Sequence, residues 1–164
     1  MPGALAQLPP HLLAMMAGGV SVLVASRDDR LRPSVMRAMG SRIDAAAGEV
    51  TVYLARRQAQ DLLRDIARCG QVAAMFSQPS THLSVQLKAA RAQVRPATEA
   101  DRPALDAYLA AMDREITTVG YAVLLARAML SYRLDDLVAV TFVPEQVFEQ
   151  TPGPRAGAVL AGGA

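Results

Sequence analysis

The clearest pattern in the sequence is an alternation of apolar and polar residues that changes phase partway along. From Leu83 to Ala89 the odd-numbered positions are apolar and the even-numbered ones polar, and beyond Ala89 the two sets exchange places as far as Arg95. Because the side chains of a strand point alternately to its two faces, the buried face can change only at a bulge or bend. The pattern therefore predicts one strand over residues 81–95, with a bend near residues 88–90 that would curl the sheet into a barrel.

Similar but shorter patterns predict the other elements. Further strands are expected over residues 20–25, 34–43, 49–54, 72–77, 137–143 and 146–150. Helical spacing predicts a helix over residues 10–17 and another whose apolar stripe is Ala59, Leu62, Leu63 and Ile66, with Gln60, Asp61, Arg64 and Asp65 on its polar side. An approximate capping box, Thr98 to Asp101, starts a third helix. A fourth, over residues 121–129, would bury Tyr121, Leu124, Leu125 and Ala128.

The order of these elements predicts a mainly β, α+β domain: an antiparallel β-barrel with flanking helices. We expect one domain over residues 1–157 and a disordered Ala/Gly-rich tail over residues 158–164. Half of the chain is apolar, but it contains seven aromatic residues and no tryptophan, so small aliphatic side chains must fill the core.

The charge and the cysteine content of the sequence argue against several classes of function. The net charge is +2 and the arginines are spread among acidic residues, so we expect no nucleic-acid binding, which needs a concentrated basic patch. Cys69 is the single cysteine, which excludes an internal disulfide and fits a reducing compartment. No apolar run reaches membrane-spanning length and no basic signal-peptide start is present, so we expect a cytoplasmic protein without membrane contact.

Few residues could carry catalysis. His11 and His82 are the two histidines, too few for most histidine metal sites, and no metal site is expected. No nucleophile, base and orienting group can be assembled from a known motif. Cys69 lies near the predicted end of a helix, where the helix dipole does not stabilise a thiolate. If the protein is an enzyme, a cofactor is expected to supply the reactivity.

The residues that remain suggest an anion site and a polar strand face. Arg56 and Arg57 precede the helix that contains Gln60, and a helix N-terminus with two guanidinium groups can hold a phosphate. Arg37 lies within a strand, where it either faces solvent or binds the anion. Gln86 and Lys88, on the first polar face of the 81–95 strand, either face water or hydrogen-bond a planar, carbonyl-rich ring.

Five segments together resemble the FMN-binding split-barrel family related to pyridoxamine 5'-phosphate oxidase. They are PSVMR at 33–37, VYL at 52–54 followed by a helix opened by Arg and Gln, VAAMFSQP at 72–79, THLSVQLK at 81–88 and FEQTPGPRAG at 148–157, the last similar to the terminal segment of many bacterial members. The resemblance implies a six-stranded antiparallel split β-barrel and a homodimer with FMN at the subunit interface. Arg37, Arg56, Arg57 and Gln60 would meet the FMN phosphate, and Gln86 and Lys88 would lie near the isoalloxazine ring or the phosphate.

Two departures from the family limit this expectation. Ala89 stands where related members have glycine, and the 151–154 segment TPGP replaces the Arg-Leu-x-Pro type terminus of the oxidases that helps to hold their substrate. We therefore expect an FMN-dependent oxidoreductase that does not have pyridoxamine 5'-phosphate oxidase activity and whose substrate the sequence does not give. The alternative is a flavin-free split-barrel module that serves in binding or interaction.

Overall fold

The computed structural model describes residues 3–162, which form ten strands and four α-helices. The strands are β1 Ser21–Arg27, β2 Pro33–Arg37, β3 Gly40–Asp44, β4 Glu49–Ala55, β5 Val72–Ser77, β6 Ser84–Ala89, β7 Ala92–Pro96, β8 Leu137–Phe142, β9 Gln146–Glu149 and β10 Val159–Ala161. The α-helices are α1 Pro10–Ala17, α2 Gln60–Cys69, α3 Arg102–Thr118 and α4 Val123–Met129. Short 3-10 helices lie at Ala4–Gln7, Glu99–Asp101 and Leu134–Asp136.

The strands form two antiparallel sheets that are joined through two bent strands. One sheet has the order β10-β9-β6-β5-β1-β2 and the other β3-β4-β8-β7. The chain passes from β2 to β3, and from β6 to β7, within a few residues, so each pair acts as one strand that serves both sheets. Followed through these pairs, the hydrogen bonding runs from β1 to β2–β3, β4, β8, β7–β6, β5 and back to β1. This ring of six strands confirms the predicted split barrel.

The first bend divides the strand that was predicted over residues 34–43. The Ala38 N–H donates to the Val22 carbonyl oxygen at 2.9 Å, and the next N–H, that of Met39, donates to the Tyr53 carbonyl oxygen at 2.7 Å. The chain therefore changes its pairing partner from β1 to β4 between two consecutive residues. The alternation pattern alone could not place this change, because it does not record which strand each segment pairs with.

The second bend lies where the sequence predicts it, although the strand begins later than expected and the change of face is only partial. β6 starts at Ser84, because His82 adopts a left-handed backbone conformation (φ 61°) in the preceding turn. β6 ends at Ala89 and β7 begins at Ala92, which packs against the core, whereas Ala90 and Val94, the other apolar residues of the predicted set, are exposed. Among described non-glycine residues only His82 and Leu31 have positive φ, so the bend forms at Ala89 without glycine's conformational freedom.

The barrel interior is filled by aliphatic side chains and a few aromatic rings, among them Phe76 and Phe142. Phe76 is fully buried among valine, leucine and alanine side chains from both sheets, and β8 is buried on both faces as its continuous apolar run predicts. Each fully buried valine or leucine contributes roughly 1.5–3 kcal/mol to folding. The core therefore holds the two bent strands, and the polar residues they carry, in fixed positions.

A buried polar cluster fastens the second sheet to the start of α3. The Asp101 carboxylate accepts hydrogen bonds from the Tyr53 hydroxyl at 2.9 Å, from both terminal nitrogens of Arg95 at 2.8 and 2.7 Å, and from the Thr98 N–H at 2.8 Å. These contacts, led by Arg95, hold the pKa of Asp101 far below its usual range. Burial, with the hydrogen bond to Asp101, raises the pKa of Tyr53 to about 12. The predicted capping box is present and is part of this larger cluster.

Two predictions from the sequence are wrong, one about the buried side of the fourth helix and one about the C-terminal tail. Tyr121, Leu124, Leu125 and Ala128, the predicted buried stripe of the fourth helix, are exposed. α4 instead packs Ala126 and Leu130 inward, while Arg127 pairs with Asp113 of α3, which turns the predicted stripe outward. Within the tail predicted to be disordered, residues 159–161 form β10, which pairs with β9. No helix among residues 3–162 is long and apolar enough to cross a membrane.

Candidate functional site

The outer face of the six-stranded sheet is the first candidate surface, because it is apolar where a solvent-facing sheet would be polar. Its central strands present Leu23 and Ala25 from β1 and Ala73 and Met75 from β5. Leu23 is 41% exposed and Val35, on the neighbouring edge strand, is 58% exposed. Antiparallel sheets with one solvated face normally alternate polar residues outward. We call this surface the open face.

One row of side chains crosses the open face from the edge strand β2 to β9. Arg37 lies opposite Leu23, Leu23 opposite Met75, Met75 opposite Gln86, and Gln86 opposite Phe148. Arg37 and Gln86 are three strands apart, which corresponds to roughly 14 Å. A guanidinium group and an amide therefore lie at the two ends of an apolar stretch, and an aromatic ring follows the amide.

Lys88 lies in the next row of the same face. It stands between Ala73 and Gln146, and its Nζ is 4.6 Å from the centre of the Phe148 ring. Among the described residues no carboxylate lies within ion-pair distance of Lys88. Lys88 also borders a cleft of about 380 Å³ whose floor is formed by small apolar residues at one end of the sheet.

Arg37 is half-buried and does not simply extend into solvent. Its Nη1 donates to the Ser21 Oγ at 2.8 Å, which fixes the guanidinium group against β1. No carboxylate among residues 3–162 forms an ion pair with it, so its charge is not neutralised within the chain. Burial raises the pKa of the Tyr108 hydroxyl, and the charge of Arg37 partly offsets this rise.

Arg56, Arg57 and Gln60 lie away from this row. All three are exposed, in the turn after β4 and at the first residue of α2. Asp136 holds the turn: its carbonyl oxygen accepts the Arg56 N–H at 2.7 Å, and its carboxylate lies 3.7 Å from the Arg57 Nε. The structure thus brings Arg37, Gln86 and Lys88 onto one face and leaves the other three predicted residues in the turn after β4 and at the start of α2.

A second cleft, of about 430 Å³, lies between β2 and α2. Its lining includes two arginines and three aspartates. Arg32 is paired with Asp28 at 2.8 Å and Arg64 with Asp61 at 2.6 Å, while Asp65 is buried. Because both arginines are neutralised, this cleft does not fit a phosphate group. We call it the Asp65 cleft.

Sequence analysis missed Asp65, which it placed on the polar side of α2. The residue is 4% exposed, and its Oδ2 accepts a hydrogen bond from the Ser34 Oγ at 2.7 Å. Asp65 follows Leu62 by three positions and precedes Ile66, so its spacing alone would have placed it on the buried side. The prediction assigned Asp65 to the polar side because the residue is charged, although its spacing indicates the buried side.

The remaining titratable residues do not assemble into a catalytic set. His82 is exposed in its turn, and Cys69 Sγ lies 3.5 Å from the Ser26 Oγ and 3.7 Å from the Arg27 carbonyl oxygen, without a base beside it. Within the part of the chain that the structure describes, no group of three histidine, cysteine or acidic residues could hold a metal ion.

The sequence matches no protein-family model and no curated protein, but the fold matches solved structures. An F420 reductase shares 12% identity over 85% of this chain and 98% of its own, with a TM-score of 0.57. A putative pyridoxamine 5'-phosphate oxidase from Lactobacillus delbrueckii shares 14% over 87% and 94%, with a TM-score of 0.53. HutZ, the heme storage protein from Vibrio cholerae, shares 16% over 87% and 94%, with a TM-score of 0.50.

These neighbours define the class of protein to which the fold corresponds. They are split-barrel proteins of the type related to pyridoxamine 5'-phosphate oxidase, in agreement with the resemblance seen in the sequence. At identities of 12 to 16% the likeness is one of fold.

Proposed function

We propose that the protein is a homodimeric, FMN-binding split-barrel protein that acts as a flavin-dependent oxidoreductase. The observation that carries this proposal is the row Arg37, Leu23, Met75, Gln86 and Phe148 across the open face. An anion-binding group, an apolar platform, an amide and an aromatic ring follow one another there, which is the order of groups that a planar ring with a phosphorylated side chain requires.

A second copy of the chain is the proposed cover for the open face. The apolar side chains of Leu23, Val35 and Val159 are exposed on it, and exposed patches of this kind mark interaction surfaces. Covering both the apolar platform and the cofactor with an identical face would exclude water from the flavin. This arrangement also explains why Arg37 has no carboxylate partner within its own chain.

Each proposed residue then has a distinct task. Arg37, fixed by Ser21, would hold the phosphate, and the Gln86 amide would hydrogen-bond the edge of the ring. Lys88 would stabilise negative charge on the cofactor from the neighbouring row. Arg56, Arg57 and Gln60, which lie off this row in the turn after β4 and at the first residue of α2, remain candidates for a contribution to phosphate binding. FMN itself would supply the electron-transfer chemistry.

Titration of the purified protein with FMN, followed by flavin fluorescence, tests this proposal together with the molar mass in solution by light scattering. We expect a dimer that quenches FMN fluorescence, and a loss of affinity of about tenfold or more for Arg37→Ala and for Gln86→Ala, because each removes a direct polar contact. Arg91→Ala, an exposed arginine in the second bend, is the matched control and should bind FMN like the wild type. A monomer that leaves FMN fluorescence unchanged contradicts the proposal.

The second candidate function is a flavin-free binding or interaction module with the same fold. It is favoured by the position of Arg56, Arg57 and Gln60, which lie off the row and partly engage Asp136. Under this alternative, Arg37→Ala and Gln60→Ala leave ligand affinity unchanged. Hemin serves as a second probe because one structural neighbour is a heme storage protein; hemin binding without FMN binding would support the alternative.

A further inference from the structure

We propose that the Asp65 cleft is a binding site for a small organic cation, one that presents an ammonium or amidinium group to the buried Asp65 carboxylate. The site lies on the opposite side of β2 from Arg37. Ser34 and Met36 point toward α2, whereas Val35 and Arg37 alternate onto the open face. The inference is therefore independent of FMN binding.

The state of hydrogen bonding at Asp65 carries this proposal. A buried carboxylate normally accepts several hydrogen bonds or pairs with a cation, because burial of an uncompensated charge is costly. Asp65 accepts a hydrogen bond from the Ser34 Oγ on Oδ2, and its Oδ1 accepts none from the described residues. Oδ1 is not enclosed by protein atoms, and Asp65 lines the cleft. The free oxygen therefore opens into the cavity.

The other charges of the cleft leave Asp65 as its unbalanced group. Asp28 accepts the N–H groups of Arg30 and Arg32 and pairs with the Arg32 guanidinium, so it is fully satisfied. Asp61, at the exposed lip, pairs with Arg64. With both arginines engaged, the site has one negative charge to neutralise, which a monovalent cation would do.

The shape and lining of the cleft favour an organic cation over a metal ion. Its volume of about 430 Å³ lies within the range of small-molecule sites. Pro33, Met36 and Leu62 offer apolar surface for the body of a ligand, and Ser34 and Gln58 add polar atoms beside Asp65. No described group of three metal-ligating side chains occurs there.

Benzamidine is a suitable probe, and benzamide is its neutral control of nearly the same shape. In calorimetric titrations of the full chain, we expect benzamidine to bind about tenfold or more tightly than benzamide, because only the cation forms a charge-assisted hydrogen bond with the largely buried carboxylate. Asp65→Asn should remove this preference. Asp61→Asn, which changes an exposed carboxylate of the same cleft, should change the affinity by less than about threefold.

The location is tested separately, so that the proposal stays falsifiable if Asp65→Asn does not fold. In the wild-type protein, benzamidine should shift the backbone amide NMR signals of Ser34, Met36 and Leu62. Shifts confined to another region would overturn the proposal. Equal affinities for benzamidine and benzamide, or an unchanged benzamidine affinity in a folded Asp65→Asn variant, would also overturn it.

Discussion

The ionised form of Asp101 stabilises the fold through the groups that hydrogen-bond to it. Its pKa is lowered by the hydrogen bonds from Arg95, the Thr98 N–H and Tyr53, so the folded state favours the carboxylate more strongly than the unfolded state does. A lowered carboxyl pKa stabilises the fold above the unfolded value, about 3.9 for aspartate, and this stabilisation is lost as the pH falls further toward the folded value. The wild type should therefore lose stability below about pH 4.

Urea unfolding at neutral and acidic pH measures this contribution. In Asp101→Asn the side chain cannot ionise, so we expect lower stability at neutral pH and a weaker loss of stability below about pH 4 than in the wild type. If the acid-dependent loss is the same in both proteins, the interactions around Asp101 do not control it.

Gly70 supports the second bend through a close approach that no other residue type allows. Its φ is +72°, and a Cβ there would lie 2.8 Å from the Ala90 carbonyl oxygen. Gly48 has nearly the same φ, +71°, with open space around it. Gly48→Ala should cost about 1–2 kcal/mol for the left-handed conformation alone, and Gly70→Ala should cost more, because backbone must also shift. Chemical denaturation measures both; equal losses would exclude a role for the close approach.

Some residues of the candidate surfaces could be predicted from the sequence and others could not, and the difference has physical reasons. Gln86 and Lys88 could be predicted because strand alternation assigns a face to every residue. The environment of Asp65 depends on Ser34, which is distant in sequence, and no local pattern records that contact. Likewise, the Thr98 to Asp101 spacing indicated a helix cap, but not the contacts of Asp101 with Tyr53 and Arg95.

At the scale of elements, local patterns predicted which segments are strands and helices, but not always which side each one buries. α4 is the clearest case, because a seven-residue helix with apolar residues around most of its surface has no unique amphipathic face. Its orientation is set by its contact with α3, in which Arg127 pairs with Asp113, and by the burial of Ala126. That contact joins residues from different helices, so it is absent from the local pattern.

The exposed face of α4 gives a direct test of this orientation. Leu124 is 76% exposed, so Leu124→Glu should change the free energy of unfolding by less than about 0.5 kcal/mol. Ala126 is fully buried, and Ala126→Glu should cost about 3 kcal/mol or more, because it buries an unpaired charge. Thermal and urea unfolding of both variants check this result. A large loss in Leu124→Glu would contradict the observed orientation.

For the whole molecule, the proposed dimer makes a prediction about charge on the open face. Leu23→Glu places a carboxylate at the centre of the proposed interface, where a second copy of the same charge would face it or lie near it. We expect the variant to be folded and monomeric by light scattering, with weaker FMN binding. Leu124→Glu, outside the proposed interface, is the matched control and should remain dimeric. A dimeric Leu23→Glu variant would exclude the open face as the interface.

The pairing of the strands could be predicted only in outline. The β3–β4 hairpin joins neighbours in sequence, and its turn is visible at Gly48. The pairing of Val50 in β4 with Phe142 in β8, by contrast, joins residues that are 92 positions apart in the sequence (142 − 50). Alternation shows that both strands are buried but not that they are neighbours. The resemblance to a known fold supplied that information.

The two bent strands also determine how the molecule can unfold. Because β2–β3 and β6–β7 each belong to both sheets, neither sheet can separate without breaking hydrogen bonds of the other. Sheets that are merely stacked face to face can open one at a time, but these cannot. Amide protons in the interiors of β1 and β4, which lie in different sheets, should therefore exchange with solvent through one shared opening event and with similar opening free energies.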